Sequence, residues 1–291
     1  MKVGEPGTLY LVGTPIGNRG DMTSRARQIL AEVAAVACED TRTCRRLYAW
    51  LDVPVPDVIA YHDHNIETAL PRVIARLETG VGVALVTDAG MPAIQDPGYR
   101  LVVAARERGI EVVPVPGPSA FLVALAASGL PTDRFSFLGF APRRGRESWW
   151  RETLTRPETI VVYEAPKRVG ATVAAIAGLA AERPVCLARE LTKLHEEFLT
   201  GAAEVVSQTL VTRETPIKGE CVLVVGGATT ADPSTVALPW PDALARLEAS
   251  RAGSAMSARD RVEVMACAYP TARNAIYRAV HGADDRVGEV T

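Results

Sequence analysis

Short runs of β-branched and other apolar residues alternate along the chain with Ala/Leu/Arg segments whose apolar positions recur at helical spacing. This alternation predicts an α/β protein. Residues 8–12 form an apolar run closed by a turn over 13–20, and Asp21 or Thr23 can cap the following helix, with Ile29, Leu30 and Val33 on one face. A brief strand is expected at Ala35–Cys38, then a helix through Cys44, Leu47 and Leu51. Residues 58–60 read as a strand and 68–77 as a helix; the clearest strand, 81–86, runs straight into Thr87-Asp88-Ala89-Gly90. Another strand at 110–115 is closed by Pro114, Pro116, Gly117 and Pro118. That cluster is a candidate hinge, because each proline fixes φ and biases its predecessor toward extended backbone. A second series places strands at 135–138, 159–163, 185–188 and Cys221–Val225, with a helix near 165–180. After Gly226-Gly227 the pattern changes to a linker over 228–241 and helical stretches at 242–250, 255–268 and 271–280. The expected division is an N-terminal α/β domain (1–117), a C-terminal α/β domain (118–228), and a linker with helical extension (229–291).

Composition narrows the class. The 291 residues are 48% hydrophobic and 23% charged, which fits a folded globule of about two domains and excludes disordered and collagen-like chains. With 32 Lys+Arg against 34 Asp+Glu the net charge is -2, so any nucleic-acid role must come from a local patch. Only Lys2, Lys167, Lys193 and Lys218 are lysines; the other 28 basic residues are arginines, which suits either a GC-rich coding bias or bidentate phosphate chemistry. Five dispersed cysteines without CxxC spacing suggest neither a zinc site nor a disulfide framework. No signal-peptide core and no run of the roughly 18 apolar residues needed to span a bilayer is present, so the expectation is a cytoplasmic protein without a membrane partner.

In open α/β sheets, ligands bind beyond the carboxyl ends of strands. Gly13-Thr14-Pro15-Ile16-Gly17 follows the first strand with G-x-x-x-G spacing, which matches neither the dinucleotide fingerprint nor a P-loop. It is either a tight turn or a place where a ligand approaches backbone closely. The segment Asp88–Gly98 packs two acids, two prolines and two glycines into eleven residues. There Asp96 suits an N-cap with Pro97 at the first helical position, whereas Asp88 at the strand end is left for a ligand. Ser119 either caps an Ala-rich helix or donates to a ligand between the domains. Asp40 or Thr41 is expected to cap the helix after strand two, and Glu39, Asp40 and Arg42 form a candidate substrate-handling cluster. His62 and His64, with Asp63, offer H-x-H spacing without a third ligand, so no metal site is expected.

Together LYLVGTPIGN, CEDTRTCRRL, LVTDAGMPAIQDPG, VPVPGPSA, FLGFAPRR, VVYEAPKRV and KGECVLVVGG, spread from Leu9 to Gly227, resemble the bacterial ribosomal small subunit methyltransferase I group of the tetrapyrrole methylase superfamily. The departures are Thr87 where the group often has Ser, Met91 where Thr is frequent, and Lys167 where His is common. The helical tail, with Ser257-Ala258-Arg259-Asp260 and Ile276-Tyr277-Arg278, is similar to that group's extension more loosely.

The resemblance implies two α/β domains of the tetrapyrrole methylase type, usually in a homodimer, with S-adenosylmethionine in the cleft between them. It implies 2′-O-methylation of a cytidine ribose in the decoding centre (P site) of 16S rRNA, on the assembled small subunit. It places the cofactor on Thr14, Pro15 and Ile16, on Asp88, Ala89 and Gly90, and on Ser119 and Ala120. The second domain would add Tyr163, Glu164, Leu191 and the Lys218-Gly219-Glu220 turn. Displacement of methyl from a sulfonium needs alignment rather than a metal, and a general base helps a weakly acidic hydroxyl. The candidates are Glu39, Asp40, His64 and Glu164; the Glu39/Asp40 pair is favoured, because strand two should end facing the strand-one loop, with Arg42 steering phosphate. For RNA, Arg143, Arg144 and Arg146, with Arg151, Trp149 and Trp150, form the densest basic-aromatic stretch: either a phosphate grip with stacking indoles, or a solvated loop whose tryptophans are core. Arg273, Tyr277 and Arg278 form a second basic group. Two other readings are a methyltransferase acting on a tetrapyrrole precursor and a non-catalytic ribosome assembly factor.

Overall fold

A computed structural model describes residues 7–228, 240–249, 256–269 and 272–284. The first sheet contains β1 (Leu9–Val12), β2 (Ala35–Cys38), β3 (Asp57–Ala60), β4 (Val83–Val86) and β5 (Val112–Val115) in the order β3-β2-β4-β1-β5, all parallel. The near-continuous apolar strands LYLV, AVAC and VALV are what a parallel sheet covered on both faces requires. Alternation assigns the faces. Leu9, Ala35, Ala37, Val83 and Leu85 pack under α3 (Ile66–Glu78) and α4 (Tyr99–Glu107). Tyr10, Val12, Val36, Cys38, Ala84 and Val86 pack under α1 (Ser24–Glu32) and α2 (Thr41–Leu51). Thr23 caps α1 by accepting from the Ala26 N–H, and Asp40 caps α2 by accepting from the Arg42 N–H.

The second sheet departs from the simple βα alternation. Its strands β6 (Phe135–Phe140), β7 (Thr159–Glu164), β8 (Pro184–Arg189), β9 (Glu197–Ala202) and β10 (Cys221–Val225) run in the order β6-β7-β10-β8-β9, and only β6 and β7 are parallel. One face packs on α6 (Arg146–Thr153), α7 (Pro166–Leu179) and α8 (Ala203–Val211). The other packs on α5 (Ala120–Ala127), and Ile16 and Leu191 join that cluster. β9 and α8 have no counterpart in the sequence reading. β9 is a half-buried edge strand, so it carries neither an unbroken apolar run nor clean alternation.

The hinge region is a close backbone crossing. The Gly13 N–H donates to the Val115 carbonyl, and Thr14 and Gly90 exchange two backbone hydrogen bonds of 2.9 and 3.1 Å. A Cβ on Gly117 would sit 2.7 Å from the Gly13 Cα, and one on Gly13 would sit 2.6 Å from the Gly117 Cα. Glycine at both positions is therefore a condition of the strand ends meeting.

α9 (Trp240–Ala249), α10 (Ala258–Ala268) and α11 (Arg273–Asp284) enclose a small core of Leu244, Val262, Met265, Ile276 and Val280. Ser257 caps α10, accepting from the Asp260 N–H and donating to its carboxylate. Trp240 and Pro241, expected in a linker, open α9; the rest of that expected linker, 229–239, lies outside the described residues.

Replacing Gly117 with Ala should lower stability by about 1–3 kcal/mol through overpacking. Urea unfolding of wild type and variant checks this, and an unchanged midpoint would contradict the crossing.

Candidate active site

The carboxyl ends of the first sheet face a cavity of about 420 Å³ whose other wall comes from the second domain. Three loops of the first domain supply Ile16, Glu39 and the stretch from Thr87 to Asp96, while Ser119, Phe140, Tyr163 and Gly219 close the opposite side. The loop after β4 is coiled tightly: Gly90 and Gly98 have φ of 85° and 152°, and Ala93 and Gln95 take left-handed φ of 68° and 64°. This geometry corrects the expectation for Asp96. α4 starts only at Tyr99, with Gly98 at its N-cap, so Asp96 does not cap it. Its carboxyl belongs to the cavity instead. The Gln95 amide packs so closely on Gly139 that a Cβ there would lie 2.5 Å from it, which ties the loop to β6.

The charges in the cavity have one sign. Five lining residues are acidic (Glu39, Asp88, Asp96, Glu164 and Glu220), and none of the lining residues is Lys or Arg. Two of these acids are compensated. Glu164 is fully buried and meets Arg168 at 2.6 Å and Arg146 at 3.4 Å, while Thr172 donates to it at 2.7 Å. Glu220 pairs with Lys193 at 3.0 Å. The other three have no ion-pair partner among the described residues. Burial and the charge of Asp88 raise the Glu39 pKa against a hydrogen bond from Thr87. Burial and Asp40 raise that of Asp88. Burial, with Glu39, Asp88 and Asp63 nearby, pushes Asp96 up to about 6.

The expected site residues fall into two groups. Ile16, Glu39, Asp88, Ala89, Gly90, Ser119, Ala120, Tyr163, Glu164 and Gly219 line this one cavity, and Ser119 makes no side-chain cap on α5. Thr14 and Pro15 line an adjoining cavity, where the Thr14 hydroxyl donates to the Thr87 carbonyl at 3.2 Å. Leu191 is buried against the second sheet beside Ile16 and lines neither. Asp40 and Arg42 also line neither; Arg42 donates to both Asp40 oxygens, and this pairing holds the Asp40 carboxyl well below the usual range. The end of β2 is separated from β1 by β4, so Glu39 meets Thr87 directly and shares the cavity with Ile16 of the strand-one loop.

Arg143 and Arg144 are exposed, with no ion-pair partner among the described residues. Arg146 turns inward, donating to the Pro142 carbonyl and pairing with Glu164. Trp150 is fully buried and Trp149 is half-buried against the same core. Sequence reasoning missed Asp96, Gln95 and Phe140 as site residues; the Asp96-Pro97-Gly98 run was the available signal. His62 and His64 lie ring to ring at 6.1 Å, and among the described residues no three His, Cys, Asp or Glu side chains converge as a metal site. No helix among them is long and apolar enough to cross a membrane.

Residues 8–206 match the family model for tetrapyrrole (corrin/porphyrin) methylases. Proteins named ribosomal RNA small subunit methyltransferase I are similar along most of the chain. The one from Halalkalibacterium halodurans is 44% identical over 84% of this chain and 83% of its own length. The one from Streptococcus pyogenes serotype M1 is 40% identical over 94% and 95%. Among solved structures, uroporphyrin-III-C-methyltransferase from Thermus thermophilus superposes with a TM-score of 0.52 at 23% identity, over 76% of this chain and 94% of that one. Cobalt precorrin-4 methyltransferase gives 0.55 at 18%, over 76% and 95%. At those identities the two structures establish the fold alone.

Folding raises the Asp96 pKa to about 6 from roughly 3.9 in an unfolded chain, so stability is greatest below the unfolded value and declines as pH rises toward 6. Asp96→Asn should remove that decline. The variant's advantage over wild type should grow between about pH 4 and 6 and then level off, as read by urea unfolding across pH. A pH-independent difference would contradict the placement of Asp96.

Proposed function

From the premise that the chain belongs to the tetrapyrrole methylase family and, within it, to the ribosomal RNA small subunit methyltransferase I group, we propose that it uses S-adenosylmethionine to methylate a cytidine 2′-hydroxyl of 16S rRNA. We further propose that it does so in the cytoplasm, as a homodimer, at the decoding centre (P site) of the assembled small subunit. The observation that carries the reading is the cavity whose Glu39, Asp88 and Asp96 have no ion-pair partner among the described residues and whose wall holds no Lys or Arg. A volume near 420 Å³ lies in the ~300–1,000 Å³ range of small-molecule sites. Ile16, Met91, Ala120 and Phe140 offer apolar surface for a purine, and the carboxylates suit a ligand bearing ammonium and sulfonium charges. The residues therefore fit the cofactor, which when bound supplies an electrophilic methyl group.

The chain's own residues account for the remaining needs. The carboxylates favour a sulfonium over a neutral thioether, so the product binds more weakly than the donor. The Gly13–Gly117 crossing and the Gln95–Gly139 contact fix the loops that position the reactants. Glu39 accepts the proton of the attacking hydroxyl: it lines the cavity, receives the Thr87 hydroxyl at 3.4 Å, and has a raised pKa that makes its carboxylate a stronger base. Asp40, held by Arg42 and by its helix, keeps the β2 end in place.

The test supplies labelled S-adenosylmethionine and small subunits from cells lacking this enzyme. Label should enter 16S rRNA at one cytidine, and the adjacent phosphodiester should then resist alkaline cleavage. Label on a base, or none on 16S rRNA but transfer to a precorrin, would overturn the reading. Glu39→Gln should lower kcat by about 10²-fold or more, within the range general bases contribute. Unchanged single-turnover rates in that variant would remove Glu39 from the proton step.

A further inference from the structure

The second cavity, about 290 Å³, opens beside the first and shares Thr87 and Asp88 with it. Its chemistry is different. Arg19 and Arg46 line it together with Trp50 and Thr43, and Asp88 is its only acid. Arg46 is exposed, donates to the Thr43 hydroxyl at 3.0 Å, and its charge reaches Asp88. The Arg19 and Arg27 guanidiniums lie 5.4 and 4.8 Å from the Trp50 ring centroid. Both long side chains are thereby pre-ordered on the indole, which reduces the entropy lost when their N–H groups engage an anion. Arg19, Arg27, Arg45 and Arg46 have no carboxylate partner among the described residues, unlike Arg42, which Asp40 neutralises. Asp21 is the nearest acid in the sequence on the Arg19 side.

We propose that this second cavity takes the acceptor nucleotide, with Arg19 and Arg46 holding the RNA phosphates that flank the reacting ribose and Trp50 acting as a positioning residue beneath Arg19 and Arg27. The proposal rests on the rRNA reading above and names the part of the chain that meets the substrate. Two properties support it. The acidic cavity repels phosphate while the arginine-lined one attracts it, so donor and acceptor sort by charge into neighbouring compartments. The shared wall at Thr87 and Asp88 places the acceptor sugar next to Glu39, within the one stretch of sheet edge where the two compartments meet. The strand order puts β4 between β1 and β2, so its loop forms that wall.

The experiment measures binding of wild type, Arg19→Ala, Arg46→Ala and Arg46→Lys to undermethylated small subunits over a salt series, beside calorimetry with S-adenosylmethionine. Each alanine variant should bind subunits at least tenfold more weakly and lower the slope of log K against log salt by about 0.7–0.9, the value of one lost phosphate contact. S-adenosylmethionine affinity should be unchanged, and Arg46→Lys should recover most of the subunit affinity. Unaltered subunit binding in both alanine variants, with methyl transfer by wild type intact, would overturn the acceptor assignment alone. So would a matching loss of S-adenosylmethionine affinity, which would put the arginines at the donor site. A wild-type enzyme that transfers no methyl to 16S rRNA would sink the underlying reading and the assignment with it.

Discussion

The mouth of the first sheet is governed by three carboxyl groups, Glu39, Asp88 and Asp96, held within electrostatic reach of one another at the rim of a partly enclosed cavity. Burial raises the cost of ionising each of them, the charge of Asp88 adds to this at Glu39, those of Glu39 and Asp88 add to it at Asp96, and Asp96 shows the largest effect. Such an arrangement is unfavourable in the free protein and becomes favourable when a cation enters. The surrounding structure has to keep the groups together despite their repulsion. It does so with backbone: the Thr14–Gly90 bridge, the glycine crossing at 13 and 117, and a β4 loop wound through two left-handed non-glycine residues.

The second domain contributes a matching rigidity. Glu164, at the end of β7, is buried, and Arg146, Arg168, Thr172 and the Ala165 N–H satisfy its carboxyl oxygens. That network anchors the start of α7 and the loop that carries Arg143 and Arg144. Ile16, reaching from the first domain into the core of the second, joins the two walls by ordinary apolar packing.

A net charge of -2 conceals a strong local separation. Acids gather in one cavity and unpaired arginines beside the next, and the strip of Thr87 and Asp88 divides them. Overall charge therefore says little about whether such a protein meets RNA; the placement of a few guanidiniums decides it.

Much of the architecture was legible in the residues. Apolar runs such as VALV marked the buried parallel strands, and the pairs Asp21/Thr23 and Asp40/Thr41 announced helix starts at which Thr23 and Asp40 prove to be the caps, because burial and capping act over a few neighbouring positions. The loops rich in Gly, Pro and Asp announced the place at the strand ends where the structure has its cavity. What sequence did not convey depended on contacts between distant segments. The half-buried edge strand β9 has a pattern that only its pairing with β8 explains. Asp96 looked like a cap and became a cavity carboxyl, because the loop before α4 coils back and lets Gly98 take the N-cap. Arg146 was read as an RNA contact and the tryptophans as either stacking or core; Arg146 pairs with Glu164 and the tryptophans pack on the core. Local chemistry fixed which elements form and where a site belongs; the direction each side chain faces, and so which charges stay free, was decided only when the two sheets packed together, because burial and pairing are properties of the whole fold.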